Sequence, residues 1–197
     1  MCGRYYIASD DADEQIRALI AEINRREAQK PDGKTVKTGE IFPSDDALVV
    51  ANSRAGNPKP FLMRWGFETG GKGLLINARS ETAAVKPMFA PLARERRLVA
   101  PATGYFEWEK RGSARVKYRL SLHQSAAYMA GLYRLTDKGG EFVILTRDAD
   151  PKIQFIHERM PVLFDWDAAL KWLSPACDFR AMIACASGNV DFQECAG

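Results

Sequence analysis

The chain has few of the residues that build metal centres and disulfide frameworks. Its 197 residues contain four cysteines and two histidines. None of the cysteines forms a C-x-x-C pair, and neither histidine lies near a cysteine in sequence. This spacing argues against a zinc site and predicts free thiols, as in a reducing compartment. We therefore expect neither a metal nor a cofactor.

Long apolar segments are also missing. No apolar run approaches the roughly 20 residues needed to cross a bilayer. The N-terminal sequence MCGRYYIASDD lacks the apolar core and cleavage site of a secretory signal. These absences predict a cytoplasmic protein with no membrane partner.

The net charge of +3 is small, but it is unevenly distributed. The segment from Arg79 to Arg119 holds ten Lys or Arg residues against four Glu residues. Such a basic segment fits a local anion-binding surface. On charge alone, ordinary scatter over a solvated face is the simpler interpretation.

The hydrophobic pattern predicts a succession of short strands with a few helices. Residues 11–29 are predicted as an amphipathic helix in which Asp11 and Glu14 form a capping box. Asp150-Pro151 resembles a helix start, and residues 165–173 a further helix. The other patterned segments predict strands, which are ALVVA, FLMRWGF, LLINA, LVAPATGYFEW, KYRLSL, AYMAGLYRL, EFVILT and RMPVLF.

Strands joined by hairpin-length gaps indicate α+β architecture. We expect one domain over residues 1–197, with a central antiparallel, irregular barrel-like β-sheet flanked by a few helices. The tail from about residue 174 carries only a weak pattern.

Cys2 is chemically unusual because it follows the initiator methionine and precedes glycine. Removal of Met1 would expose an α-amine and a thiol on adjacent carbons. The reference pKa values are about 7.7–8.0 for the amine and about 8.5 for the thiol, so both have nucleophilic fractions near neutral pH. Such a pair converts an aldehyde into a Schiff base and then closes a thiazolidine ring. Taken alone, Cys2 is more simply an ordinary residue near a start codon.

Three polar residues stand out from the periodic pattern. Asn77 follows an apolar strand, and His157 lies beside Glu158 and Arg159. Glu107 and Tyr105 are two positions apart in a predicted strand, so their side chains should point to the same face. Burial on that face would raise the pKa of the Glu107 carboxyl. Taken singly, Glu107 also suits a half-exposed strand and His157 a structural role.

Five motifs in order, MCGRY, WGF, NARSET, GYFEW and IHERMP, together resemble the SOS response-associated peptidase (SRAP) family. The likeness covers the chain from Met1 to about Leu173 and leaves the C-terminal tail poorly matched. Proteins of that family sense abasic sites and crosslink to single-stranded DNA. The resemblance therefore implies a partner, single-stranded DNA containing abasic sites, bound by a monomer that associates with the nucleoid.

The resemblance also implies residue roles. Cys2 would be the covalent nucleophile, Asn77 would hold the amine or the sugar, Glu107 would transfer protons, and His157 would help to open the deoxyribose ring. In the DNA-binding set, Arg4, Arg79 and Arg159 would bind the phosphates. Trp65 and Trp108 would stack on neighbouring bases, and Thr146 would lie close to the site.

Two other functions remain open at the level of sequence. Cys2, His157 and Glu107 could form a cysteine peptidase that removes its own N-terminal residue. Alternatively, the chain could be a non-catalytic module that binds single-stranded nucleic acid.

Overall fold

The computed structural model describes residues 2–8, 13–71, 73–123 and 126–195. The helices are α1 (Glu14–Glu27), α2 (Ser80–Ala83), α3 (Ala90–Glu95), α4 (Trp166–Leu173) and α5 (Phe179–Ala184). The strands, in chain order, are β1 (Tyr5–Ile7), β2 (Gly39–Ile41), β3 (Asp46–Asn52), β4 (Pro58–Trp65), β5 (Phe67–Glu68), β6 (Leu74–Leu75), β7 (Asn77–Arg79), β8 (Arg97–Ala102), β9 (Gly104–Arg111), β10 (Ala114–Leu122), β11 (Ala127–Thr136), β12 (Gly139–Asp148), β13 (Arg159–Pro161), β14 (Leu163–Phe164) and β15 (Val190–Glu194).

Five strands close into a barrel, which confirms the predicted α+β class. Around the ring, β12 pairs with β4, β4 with β3, β3 with β8, β8 with β11, and β11 again with β12. Most pairings are antiparallel, but β12 runs parallel to both β4 and β7. Closure removes the open edges of this sheet and leaves its interior to apolar side chains.

A second sheet carries the start of the chain. Its strand order is β15-β10-β9-β1-β2, and all its pairings are antiparallel. β1 lies beside β9, with Tyr5 opposite Tyr105. A bend at Thr103, whose backbone N–H donates to the carbonyl of Tyr6 (2.8 Å), carries the chain from β8 of the barrel into this sheet. The N-terminal strand therefore lies in the second sheet, beside the bend where the chain leaves the barrel.

Helix α1 begins where a carboxylate satisfies its first N–H groups. Asp13 is the N-cap, and its side chain accepts a hydrogen bond from the N–H of Gln15 (2.8 Å). The predicted box between Asp11 and Glu14 involves a residue outside the described ranges. Ile16, Leu19 and Ile23 are buried, which confirms the apolar face that the spacing predicts.

One segment differs from the sequence predictions, and another gains structure that they did not specify. After Asp150-Pro151 the chain forms turns and no helix, and the carboxylate of Asp150 accepts from the N–H of Lys152 (3.0 Å). A short Asx turn therefore replaces the expected helix start. The weakly patterned tail contains α5 and β15, and β15 gains its order by pairing with β10.

Gly66 explains why the WGF motif has glycine at its centre. Its φ of +115° lies in the region that favours glycine, and a Cβ there would approach the side chains of Leu74 and Ile76 to 3.2–3.3 Å. Its N–H donates to the carbonyl of Phe142 (2.7 Å). The motif thus has a structural role in the barrel wall.

Among the described residues, none of the helices has the length and apolarity that crossing a bilayer requires.

Candidate functional site

The start of the chain is anchored to the barrel by Asn77. This residue opens β7 and pairs with Ile144 of β12 in a parallel register. Its buried side-chain N–H donates a hydrogen bond of 2.9 Å to the carbonyl of Cys2. The side-chain oxygen of Asn77 is also buried and has no hydrogen-bond partner among the described residues. Asn77 thus fixes the position of Cys2 and keeps an acceptor beside it.

The Cys2 thiol is fully buried. Its Sγ lies 3.9 Å from the carbonyl oxygen of Arg4, a weak donor contact. Burial raises the pKa of the thiol well above its usual range, and the nearby Glu107 carboxylate raises it further. The sulfur is therefore a neutral thiol at neutral pH. Such a thiol becomes nucleophilic only after a base has accepted its proton.

Glu107 is suited to proton transfer. It lies on β9 opposite Tyr118 of β10, and its side chain is 4% exposed. Burial raises the pKa of this carboxyl to about 7. Tyr105, two residues earlier, is also buried. Burial is the largest cause of its raised phenol pKa, followed by the charges of Cys2 and Glu107. These observations confirm the predicted environment of Glu107, where both protonation states are populated near pH 7.

His157 ends the turn segment between β12 and β13. Its Nδ1 accepts a hydrogen bond from the backbone N–H of Arg159 (2.9 Å). Burial lowers the pKa of the half-buried imidazole below its usual value of 6.5. The ring is therefore mainly neutral at pH 7, and the bond to Nδ1 assigns its proton to Nε2. A neutral imidazole with an Nε2 proton donates a hydrogen bond to an oxygen.

Arg159 does not fit its predicted role of binding phosphate. Its side chain is buried, and the guanidinium makes paired hydrogen bonds of 2.8 and 2.9 Å to the carboxylate of Glu81. It also bonds to Asp148 and to the carbonyl of Thr146 (2.8 Å). Two carboxylates already neutralise this cation. Arg159 instead holds α2 and the end of β12 together.

Thr146 is fully buried at the same place. It lies opposite Arg79 of β7, and its hydroxyl is 3.5 Å from Arg159. This position fits a packing role better than direct contact with DNA. Arg79 itself is exposed two residues after Asn77, which fits the predicted contact with phosphate.

Trp65 and Trp108, predicted as a pair of stacking surfaces, lie in different environments. Trp65 is 0% exposed, and its indole N–H donates to the carbonyl of Ile76 (3.0 Å). Its ring packs 5.2 Å from the ring of Tyr5 and 6.4 Å from that of Phe142, measured between centroids. A base cannot reach a ring that is enclosed on this scale, so Trp65 belongs to the core.

Trp108 is half-buried at the surface of the second sheet. The Arg4 guanidinium lies 5.2 Å from its ring centroid and 4.5 Å from that of Phe42, and it also pairs with Glu40 (3.0 Å). Lys117, opposite Trp108 on β10, binds the same carboxylate (2.9 Å). The structure therefore brings Arg4 and Trp108 together as a cationic and aromatic surface.

Several residues of this surface and of the site were missed by sequence reasoning. Phe42 and Lys117 extend the cationic and aromatic surface. Tyr5 and Tyr105 are cross-strand partners with buried hydroxyls that have no hydrogen-bond partner among the described residues. The hairpin register of β9 and β10 could have indicated Lys117. No local signal indicates the pairing of Tyr5 with Tyr105.

Within the described ranges, no three His, Cys, Asp or Glu side chains are grouped as a metal ion would need. The polar groups of the site instead lie at Cys2, where the Asn77 amide binds the backbone carbonyl and a carboxyl of pKa about 7, that of Glu107, lies near the thiol. This arrangement offers a nucleophile and a proton carrier.

Solved structures share the fold. A protein from Bordetella bronchiseptica superposes with a TM-score of 0.76 at 21% identity, over 99% of this chain and 100% of that chain. A protein from Bacteroides thetaiotaomicron gives a TM-score of 0.73 at 21% identity, over 98% and 91% of the two chains. At this level of identity, the likeness shows the fold alone.

Sequence comparisons identify the family. The chain is 31% identical over 180 residues to abasic site processing protein YedK of Escherichia coli, covering 88% of this chain and 79% of the relative. It is also 31% identical over 192 residues to abasic site processing protein YoaM of Bacillus subtilis, covering 89% and 80%. The model of the SOS response associated peptidase (SRAP) family matches residues 1–190. The chain therefore belongs to the SRAP family.

Proposed function

We propose that this protein captures abasic sites in single-stranded DNA by forming a covalent bond through Cys2 after Met1 has been removed. The observation that carries this proposal is the location of a buried cysteine, one residue from the chain start, between the Asn77 amide and a carboxyl whose pKa is about 7. The names of the curated relatives YedK and YoaM support abasic-site processing.

The chemistry begins at the amine of the mature chain. While Met1 is attached, the nitrogen of Cys2 is an amide and is not nucleophilic. Once it is free, the amine adds to the aldehyde of the opened sugar, and loss of water gives an imine. The Cys2 sulfur then adds to the imine carbon, its proton moves to the nitrogen, and a five-membered thiazolidine closes. One C–N and one C–S bond form, and one water leaves.

Glu107 carries the protons in this scheme. Its carboxyl is about half protonated near pH 7. The acid form protonates the departing hydroxyl, and the carboxylate form accepts the proton of the Cys2 thiol. Asn77 holds the carbonyl of Cys2, so the amine and thiol approach the same carbon.

His157 acts on the sugar. An abasic deoxyribose is mostly a closed hemiacetal, and opening it requires proton transfer between the ring oxygen and the anomeric hydroxyl. The proton of the anomeric hydroxyl moves to the ring oxygen as the ring bond breaks. The neutral imidazole, whose Nδ1 is engaged by the N–H of Arg159, assists this transfer by a hydrogen bond from Nε2 to the ring oxygen.

The DNA strand lies along the exposed cations and rings in this proposal. Arg4 and Arg79 contact the phosphates, and Trp108 offers a face on which a neighbouring base stacks. Each such stack contributes about 1–3 kcal/mol. Trp65 and Arg159 stabilise the fold behind this surface and do not contact DNA.

The test is the intact mass of the protein before and after incubation with single-stranded DNA containing one abasic site. We expect a mass without Met1, and then an adduct equal to protein plus DNA minus one water. Cys2→Ala should give no heat-stable adduct, whereas Cys185→Ala, which changes an exposed thiol, should react normally. Correctly processed protein that gives no adduct would contradict the proposal.

The peptidase hypothesis predicts a different result in the same experiment. If the protein releases its own Met1, variants at His157 or Glu107 should retain the methionine. Normal loss of Met1 from both variants would exclude self-cleavage. A non-catalytic module would bind DNA equally well after Cys2→Ala, without preference for abasic sites.

A further inference from the structure

A cavity of about 720 Å³ lies at the end of the barrel remote from Cys2. It is lined by the last residues of β3, the start of β8 and the end of β11. Strand β8 runs from Arg97, at the cavity, to Ala102, which is followed by the bend at Thr103, whose N–H donates to the carbonyl of Tyr6 in β1. The length of β8 therefore separates the cavity from the residues of the candidate site.

The rim of this cavity carries unbalanced positive charge. Three exposed or half-buried arginines line it, namely Arg54, Arg94 and Arg96, and the buried Arg97 also belongs to the lining. None of the three forms an ion pair with a carboxylate of the described residues, although many other surface cations of the chain do. Glu95 is the one acidic residue of the lining. An anion would therefore find cations there without displacing an existing salt bridge.

The fourth arginine of the lining is buried. Arg97 is 9% exposed, and its guanidinium donates to the carbonyls of Ala93 (3.0 Å), Trp172 (3.0 Å) and Ser174 (2.6 Å). All three acceptors are backbone oxygens at helix ends, which carry partial negative charge. They satisfy its hydrogen bonds but leave its net charge unbalanced. A buried cation without a carboxylate strengthens the positive potential of the adjacent cavity.

The remaining wall is apolar. Tyr133, Leu135 and Leu173 contribute to it, together with Phe61, Met63 and Pro175. Leu135 is 62% exposed, which is unusual for a leucine within a strand. The volume falls within the range of small-molecule sites, about 300–1,000 Å³. Charge alone would suit inorganic phosphate, whereas this wall also favours a ligand with an apolar body.

We propose that this cavity binds a small organic anion with an apolar body, such as an aryl or alkyl carboxylate, sulfonate or phosphate. The acidic group contacts Arg54 and Arg94 at the rim, and the apolar body packs against Leu135 and Tyr133. The site is independent of the proposed reaction at Cys2.

The test uses the aryl sulfonate 8-anilinonaphthalene-1-sulfonate as the probe, with binding followed by fluorescence and by calorimetry on the full chain. We expect saturable binding with one probe per chain. The double variant Arg54→Gln/Arg94→Gln should weaken it by about tenfold or more, since each charge-assisted contact contributes on that scale. Arg97 is left unchanged, because its loss would free three carbonyls at helix ends.

The matched control is Arg25→Gln, which also removes an exposed arginine from the last turn of a helix, here α1, outside the cavity lining. It should bind the probe as the parent does. Equal weakening in the control and the double variant, or no saturable binding, would overturn the proposal. Inorganic phosphate alone should compete poorly, because it lacks the apolar body.

Two further measurements separate this site from DNA binding. Undamaged single-stranded DNA should not displace the probe, and displacement would assign the cavity to the DNA path and refute a separate site. Crosslinking to abasic DNA should be unchanged in the double variant. A failure of crosslinking in the parent protein would contradict the proposed function and leave the binding result unaffected.

Discussion

Replacing Glu107 by glutamine should make the protein more stable at high pH and less reactive. The carboxyl pKa is about 7 in the folded protein against a usual value of 4.5. The folded protein therefore holds a proton that the unfolded chain releases first. Folding has its full stability below about pH 4.5 and loses stability as the pH rises through about 7, where the buried group becomes charged.

The magnitude follows from the same two values. A difference from 4.5 to about 7 corresponds to at most about 3 kcal/mol of stability lost above pH 7. Glutamine has nearly the same shape and no charge, so Glu107→Gln should recover up to this amount at about pH 8 and almost none at about pH 4.5. Crosslinking should meanwhile slow by roughly 100- to 10,000-fold, the usual contribution of a general acid or base.

The assay is urea denaturation of both proteins at the two pH values, with the denaturation midpoint as the readout. Glu109→Gln is the control on the same strand. A hydrogen bond from Arg111 lowers the pKa of Glu109, so its removal should give no stabilisation at high pH. A Glu107→Gln protein that is no more stable than the parent at pH 8, or that gains equally at both pH values, would refute the reasoning.

Four other substitutions test the assignment of roles. Trp65→Phe should lower stability by about 1–3 kcal/mol, because it leaves a cavity, and should not change DNA affinity. Trp108→Ala should weaken DNA binding about 5- to 150-fold at unchanged stability. Denaturation measures the stability of both variants, and fluorescence anisotropy measures their DNA affinity. Asn77→Ala should slow crosslinking and cost about 1–3 kcal/mol, since the buried carbonyl of Cys2 loses its donor; stability equal to that of the parent would contradict this contact. Arg159→Met should reduce the melting temperature and leave the salt dependence of DNA affinity unchanged; a smaller salt slope would show that Arg159 does bind phosphate.

The positions of the strands along the chain and the chemistry of the chain start follow from local information. Alternation along GYFEW predicted that Glu107 and Tyr105 lie together, and both are buried on β9. The apolar spacing of Ile16, Leu19 and Ile23 predicted the buried face of α1. Periodicity of two or 3.6 residues is a property of adjacent residues, so it can be read without knowing the fold. The helix expected after Asp150-Pro151 failed because a short Asx turn gives the same local signal.

Burial and charge pairing were decided by the tertiary structure. Trp65 and Trp108 have similar aromatic surroundings in sequence, yet barrel closure encloses the first and leaves the second half-exposed beside Arg4. In the sequence Arg159 has no evident acidic partner, but in the fold it pairs with Glu81, which lies 78 positions away. Such contacts join segments that no local pattern connects, because they depend on which strands become neighbours.

The sequence by itself determined the proposed reactive group: a cysteine at position two, which would become an amine and a thiol on adjacent carbons if Met1 were removed. Only the fold decided that Asn77, 75 positions later, holds the carbonyl of Cys2 and that Glu107 is enclosed beside the thiol. The physical reason is that the order of residues fixes which covalent groups are present, whereas the packing of the fold creates the dielectric environment that sets their pKa values.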